Sequence, residues 1–160
     1  MPKDLRLRSG CDDRVGIEQA RPGTYVLVLS SISTDLIHIG RLGGLRLQSG
    51  FYVYVGSAFG PGGVRARLAH HLKVSCRPHW HIDYLRAHTR VGDIWYYLDT
   101  RRLEHVWAEH IRLTEGASVP LVGFGSTDCR CESHLFFFER RPSRERFRQV
   151  IRKGIRTVSC

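Results

Sequence analysis

Five side chains carry the most reactive chemistry this sequence offers: Tyr25, Tyr54, Arg67, His71 and Glu104. Tyrosine and histidine exchange protons, arginine grips phosphate oxygens with a planar fork, and a carboxylate holds a hard divalent cation. Together these residue types suit hydrolysis of a phosphodiester with one metal ion.

Each also has an ordinary alternative. Arg67 and His71 are spaced i, i+4 and share a helix face beside the stripe Val64, Leu68, Leu72. Such a pair clamps a phosphate, with the guanidinium countering charge as it builds on phosphorus; the same spacing also suits a solvated basic face. Arg65 points to another side of the wheel, and His70 is turned roughly 100° from His71. On the helix predicted over 101–113, Leu103, Val106, Trp107 and Ile111 define the buried stripe. Glu104 falls at its rim, where a carboxylate is partly desolvated yet reachable, as a ligand for Mg²⁺ requires. The alternative is a surface ion pair with a nearby arginine. Glu109 falls on the polar side. Tyr25 and Tyr54 sit on strands predicted to pair. A phenol with pKa near 10 is a poor base unless neighbouring cations lower it, and a core tyrosine needs only one hydrogen-bond partner.

Cys129-Arg130-Cys131 with His134, and Cys76, His79 and His81, offer zinc ligands. A single residue between the two cysteines departs from the Cys-x₂₋₄-Cys spacing of zinc sites, so they read as buried thiols and hydrogen-bonded histidines.

The elements that must position these groups follow from patterning. Thr24–Leu29 is apolar throughout and predicts a central strand buried on both faces. A strand over Leu36–Leu42, a turn at Gly43-Gly44 and a return at Leu45–Leu47 predict a hairpin. Phe51–Val55 alternates, with Tyr52 and Tyr54 on one face and Phe51, Val53 and Val55 on the other. A loop at Gly60–Gly63 precedes the Arg67 helix. A short helix follows over 80–87, then a strand over 91–98, the Glu104 helix, a turn at Gly123–Ser126, a strand over 135–138 and a basic helix over 143–153. The mixture predicts an α/β (α+β) fold: a small, mostly antiparallel central sheet flanked by helices, with an added β-hairpin. Residues 1–21 read as a flexible leader, 22–140 as the catalytic domain and 141–160 as a basic helix or tail.

The chain has 160 residues and a 42% hydrophobic content, enough for one packed domain. Its formal net charge is +10, and apart from Lys3, Lys73 and Lys153 the positive charge is arginine. Such a surface favours nucleic acid as partner. Arg140, Arg141, Arg144, Arg146, Arg148, Arg152 and Arg156 would add salt-dependent phosphate binding. No apolar run of membrane-spanning length occurs, so no membrane partner is expected. The N-terminus lacks the apolar core of a secretory signal, and the five cysteines read as reduced thiols of a cytoplasmic protein, with nucleoid association as the alternative.

Ordered blocks in the sequence resemble a known superfamily. Gly23-Thr24-Tyr25 and Tyr54-Val55-Gly56 resemble the two signature elements of the GIY-YIG nucleases, and Arg67, His71 and Glu104 follow in that superfamily's order. The match is closer to the Uri-type branch of archaea and some bacteria. It is similar in Tyr52–Ala58, Gly60–Gly63, His79–Leu85 and Gly123–Leu135, and covers roughly residues 22 to 140. The resemblance implies a DNA endonuclease that uses one divalent ion, Mg²⁺ or Mn²⁺, held by Glu104. Arg67 would stabilise the transition state, Tyr25 or Tyr54 would activate or orient water, and His71 would assist proton movement. Gly56 would let the backbone turn close to the metal. Gly56, Ser57, Arg65, Ser126 and Asp128 are the candidate substrate-binding residues. Gly-Ser-Thr-Asp over 125–128 would form a backbone nest for phosphate or serve only as loop architecture. Thr24 and Val55 stand where the signature has isoleucine, and both keep β-propensity. Relatives of this branch imply repair of damaged or deaminated DNA. Two other classes fit the same residues: a non-catalytic nucleic-acid-binding module of the same fold, and a zinc-stabilised interaction protein using Cys129, Cys131 and His134.

Overall fold

A computed structural model describes residues 7–9, 20–149 and 151. A five-stranded antiparallel sheet has the order β1-β6-β2-β5-β7, formed by Leu7–Ser9, Arg90–Leu98, Gly23–Ser31, Gly50–Ala58 and Leu135–Phe138. A separate hairpin joins β3 (Leu36–Ile39) to β4 (Gly43–Arg46). The helices are α1 (Gly63–Leu72), α2 (His81–Arg86) and α3 (Glu104–Arg112), with a further C-terminal helix over 144–149. The expected α+β architecture with an added hairpin is present.

Strand β2 lies between β5 and β6, and its side chains alternate between two cores. Tyr25, Leu27 and Leu29 pack with Tyr52, Val64, Leu68 and Phe124 under α1, α2 and the hairpin. Val26 and Val28 pack with Val53, Val55, Trp95 and Trp107 under α3. Burial on both faces is why the run is apolar throughout. Each fully buried large side chain contributes about 1.5–3 kcal/mol.

Several boundaries differ from expectation. The predicted 36–42 strand stops at Ile39, because Gly40 takes a left-handed backbone (φ 47°) and a 3-10 turn follows. Gly43 and Gly44 then begin β4 rather than forming the turn. On α1 the buried stripe is Val64, Leu68 and His71, with Leu72 only half-buried. Seven residues bring a helix to within roughly 20° of its starting direction, whereas eight overshoot by roughly 80°. His71 therefore occupies a core position. The helix predicted from 101 begins at Glu104, because Asp99 holds Arg101 in a preceding turn through its backbone N–H (2.8 Å) and guanidinium.

The N-terminal segment expected as a flexible leader contains a strand, and the expected basic C-terminal helix is present over 144–149. Leu7–Ser9 pairs with β6 as an edge strand, while 1–6 and 10–19 lie outside the described residues. The C-terminal helix is part of the second core. Phe147 stacks on Trp95 (4.9 Å between ring centroids) and meets Trp107 edge-on (5.5 Å), and Ile151 is buried there. Several tail arginines are already paired: Arg141 with Asp93 (2.6 Å), Arg144 with Glu145 and Arg146 with Glu115. Arg152 and Arg156 lie outside the described residues. Among the described residues no helix is long and apolar enough to cross a membrane.

Candidate active site

The β2–β5 register sets Tyr25 opposite Gly56 and Leu27 opposite Tyr54, so the two tyrosines are diagonal neighbours, 6.4 Å between ring centroids. Here Gly56 has a spatial role. A Cβ on it would run into the Tyr25 hydroxyl, so its bare backbone makes room for that ring. Gly56 lies inside a regular strand rather than at a turn, and its bare backbone lines the cleft.

Over this end of the sheet opens a cleft of about 610 Å³. Tyr25, Tyr54, Arg67 and Glu104 all line it, from β2, β5, α1 and the first turn of α3. His71 lies one hydrogen bond behind, with its Nε2 at 2.7 Å from the Tyr25 hydroxyl. The candidates Gly56, Ser57 and Asp128 also line the cleft. Arg65 does not: it is exposed on a neighbouring side of α1, as the helical wheel requires. Ser126 does not either. Its turn points it inward, and its buried hydroxyl has no hydrogen-bond partner among the described residues. A larger cavity, about 800 Å³, lies against α3 and the C-terminal helix and contains none of the five reactive residues.

Local chemistry fixes each group. The Arg67 guanidinium carbon sits over the Trp80 ring, 4.2 Å from its centroid, which holds the guanidinium at the cleft wall. Arg102 stacks likewise over Phe59 at 4.5 Å. Glu104 opens α3, where the positive end of the helix favours a carboxylate. The Leu103 N–H donates to the buried Thr24 hydroxyl (3.3 Å), tying the start of α3 to β2. Thr24, expected only to preserve β-propensity, thereby helps place Glu104. The Glu104 side chain is 15% exposed; its ion-pair partner is His105 at 3.7 Å, and no arginine pairs with it among the described residues.

Burial drives the proton equilibria. It pushes the Tyr25 phenol well above its ordinary range, with Tyr54 adding repulsion, and it pushes Tyr54 up as well against the pull of Arg67. It also lowers the His71 imidazole to about 3, helped by Arg67, so the ring is neutral at physiological pH. His71 Nδ1 has no partner among the described residues. No neighbour therefore locks the tautomer, and Nε2 can accept the hydrogen bond of the Tyr25 hydroxyl or donate one to its oxygen.

The 123–135 segment is chiefly architecture on its inner side. Phe124 is fully buried, the Gly123 N–H donates to Glu132 O (2.7 Å), and the His134 N–H donates to Phe124 O (2.8 Å). The N–H groups of Gly125, Ser126 and Cys129 are committed to His81 Nδ1, Gly123 O and Ser126 O. The expected phosphate nest is therefore not formed by those amides; Thr127 and Asp128 are what the loop presents to the cleft. Trp80 and Arg102 also line the cleft and went unassigned by sequence, as do His79, His81 and His134, which the sequence weighed only as zinc ligands. The adjacent tripeptide His79-Trp80-His81 was the available signal.

A family model described as domain of unknown function DUF123 matches residues 24–156. The chain belongs to the DUF123 family. The match runs through every cleft residue and on through the described C-terminal helix, consistent with one packed unit. No curated protein and no solved structure matches the chain.

Proposed function

We propose that this DUF123 chain is a metal-dependent DNA endonuclease of the GIY-YIG type. The observation that carries the reading is the convergence of Tyr25, Tyr54, Arg67 and Glu104 on one cleft, with His71 bonded behind Tyr25. These groups come from four separate elements, and patterns within one element do not bring them together. The resemblance to Uri-type nucleases supports DNA as substrate and damaged or deaminated DNA as its form. The net charge of +10 supports a polyanionic partner.

Glu104 suits a hard divalent ion: an oxygen donor in a cleft, free of arginine, with Asp128 lining the same space. Such an ion, Mg²⁺ or Mn²⁺, would supply positive charge beside the scissile phosphate. The remaining work belongs to the chain. Arg67, stacked on Trp80, offers its fork to the phosphate oxygens and counters the charge that builds in the transition state. Tyr25, its hydroxyl held by the hydrogen bond to neutral His71, orients the attacking water. Tyr54, beside Tyr25, completes the hydroxyl wall.

The test is a panel of labelled duplex, uracil-containing, abasic, single-stranded and branched substrates with Mg²⁺, Mn²⁺ or chelator. Cleavage is expected with metal and not with chelator. Glu104→Gln is expected to keep binding and to lose cutting by about 10³-fold or more. Folded protein that cuts none of these substrates would overturn the reading, and binding without cutting would favour a non-catalytic nucleic-acid module.

A further inference from the structure

Beside the cleft, four side chains gather that the hydrolytic reading does not use. His105 from α3 and Cys129, Cys131 and His134 from the following loop each present one ligand atom, all within 4.8 Å of one another. His105 Nδ1 is 3.3 Å from Cys131 Sγ, and Cys129 Sγ is 3.5 Å from His134 Nε2. A tetrahedral zinc sphere, with bonds of about 2.3 Å to sulfur and about 2.0–2.1 Å to nitrogen, has ligand–ligand edges of about 3.4–3.8 Å. Those two separations match such edges, and the other pairs, all within 4.8 Å, need to close by about 1 Å at most.

We infer that this cluster is a structural Zn²⁺ site of two thiolates and two imidazoles, distinct from the hard-ion position at Glu104. Two sulfurs and two ring nitrogens suit zinc and not Mg²⁺, which takes oxygen. Four protein ligands leave no position open for substrate, which marks a structural site. The other His/Asp group, His70, His71 and Asp83, differs in kind. Both Asp83 oxygens are already engaged, by His70 (2.9 Å) and by the N–H groups of His79 and Trp80, so hydrogen bonding alone accounts for it.

The site has a supporting neighbour. Glu104 Oε1 lies 3.7 Å from His105 Nε2, the ring nitrogen not facing Cys131. Were that carboxylate to close to hydrogen-bond distance, it would fix the ring orientation of the ligating imidazole. Zinc would clamp the 123–134 loop to the first turn of α3, joining the wall that bears Asp128 to the one that bears Glu104. One ligand on α3 and three on the loop make the site a cross-link across the cleft margin.

This inference stands whether or not the chain cuts DNA, because its experiment contains no nucleic acid. The full chain, purified without added metal or chelator, is assayed for bound metals by mass spectrometry. It is then exchanged with Co²⁺ and alkylated with and without metal. One equivalent of zinc per chain is expected, with thiolate-to-cobalt charge-transfer bands and the intense visible bands of tetrahedral Co²⁺. Metal should protect Cys129 and Cys131 from alkylation and leave the exposed Cys76 reactive. Cys129→Ser and Cys131→Ser should each weaken zinc binding at least about tenfold, with Cys76→Ser unchanged. Should the serine variants fail to fold, the cobalt spectrum and the protection pattern of the unmutated chain decide alone. Folded protein that holds no zinc and takes up none at micromolar concentration, or cobalt bands without sulfur character, would overturn the site.

Discussion

Acidification is the perturbation that tests the site's buried proton chemistry most directly. Burial, helped by Arg67, takes the His71 imidazole from its ordinary 6.5 to about 3. Across that window the unfolded chain binds a proton that the folded chain refuses. The corresponding stability is complete above about pH 6.5 and is lost as pH falls towards about 3. At about 1.4 kcal/mol per pH unit the whole window amounts to roughly 5 kcal/mol, and the part between about pH 6 and about pH 4 to about 2.5 kcal/mol. That is a large share of the ~5–15 kcal/mol that holds a domain folded. The assay is urea denaturation in steps of pH for the unmutated chain and for His71→Gln, which keeps a polar partner for Tyr25 but does not titrate. Carboxylates contribute equally to both, so the difference isolates His71. The unmutated chain should lose about 2.5 kcal/mol more than the variant over that interval. Parallel curves, or an imidazole seen by NMR to titrate near 6.5, would refute a neutral buried His71. The assignment of His71 as a neutral hydrogen-bond partner of Tyr25 would fall with it.

Other perturbations address single contacts. Arg67→Lys keeps the charge but loses the guanidinium over Trp80 and the fork; single-turnover cleavage should slow about 10²-fold or more with DNA affinity little changed. Equal rates would remove Arg67 from the chemistry. Gly56→Ala should push the Tyr25 ring from its place, lowering stability by about 1–3 kcal/mol in thermal melts and cutting activity together with it. Phe147→Ala should lower the urea midpoint by an amount equivalent to about 2 kcal/mol, because the ring is shared by Trp95 and Trp107 but is only half-buried. A midpoint unchanged from the parent would mean the C-terminal helix is a detachable tail after all.

Much of the fold was legible because its signals are local. The apolar run 24–29, the alternation at 51–55 and the glycines before α1 each act within a few residues, and the strands and helices formed close to where those patterns put them. Pairing of β2 with β5 then brought Tyr25 and Tyr54 together as the sequence order suggested. His71 was expected beside the buried stripe of α1, on a face shared with Arg67, with Leu72 completing the stripe. Helix phase put it in the core, where its partner is a tyrosine from a strand.

By itself, then, the sequence determined the element types, the basic charge and the identity of the reactive side chains, since these depend on residue type and short-range periodicity. Tertiary structure alone decided three things. Packing made the C-terminal helix part of a core, through two tryptophans distant in the chain. Thr24 became the tether of α3. His105 joined Cys129, Cys131 and His134, completing a ligand set whose sequence spacing had argued against a metal. Each depends on residues that only chain topology makes neighbours, and no window along the sequence contains both sides of such a contact.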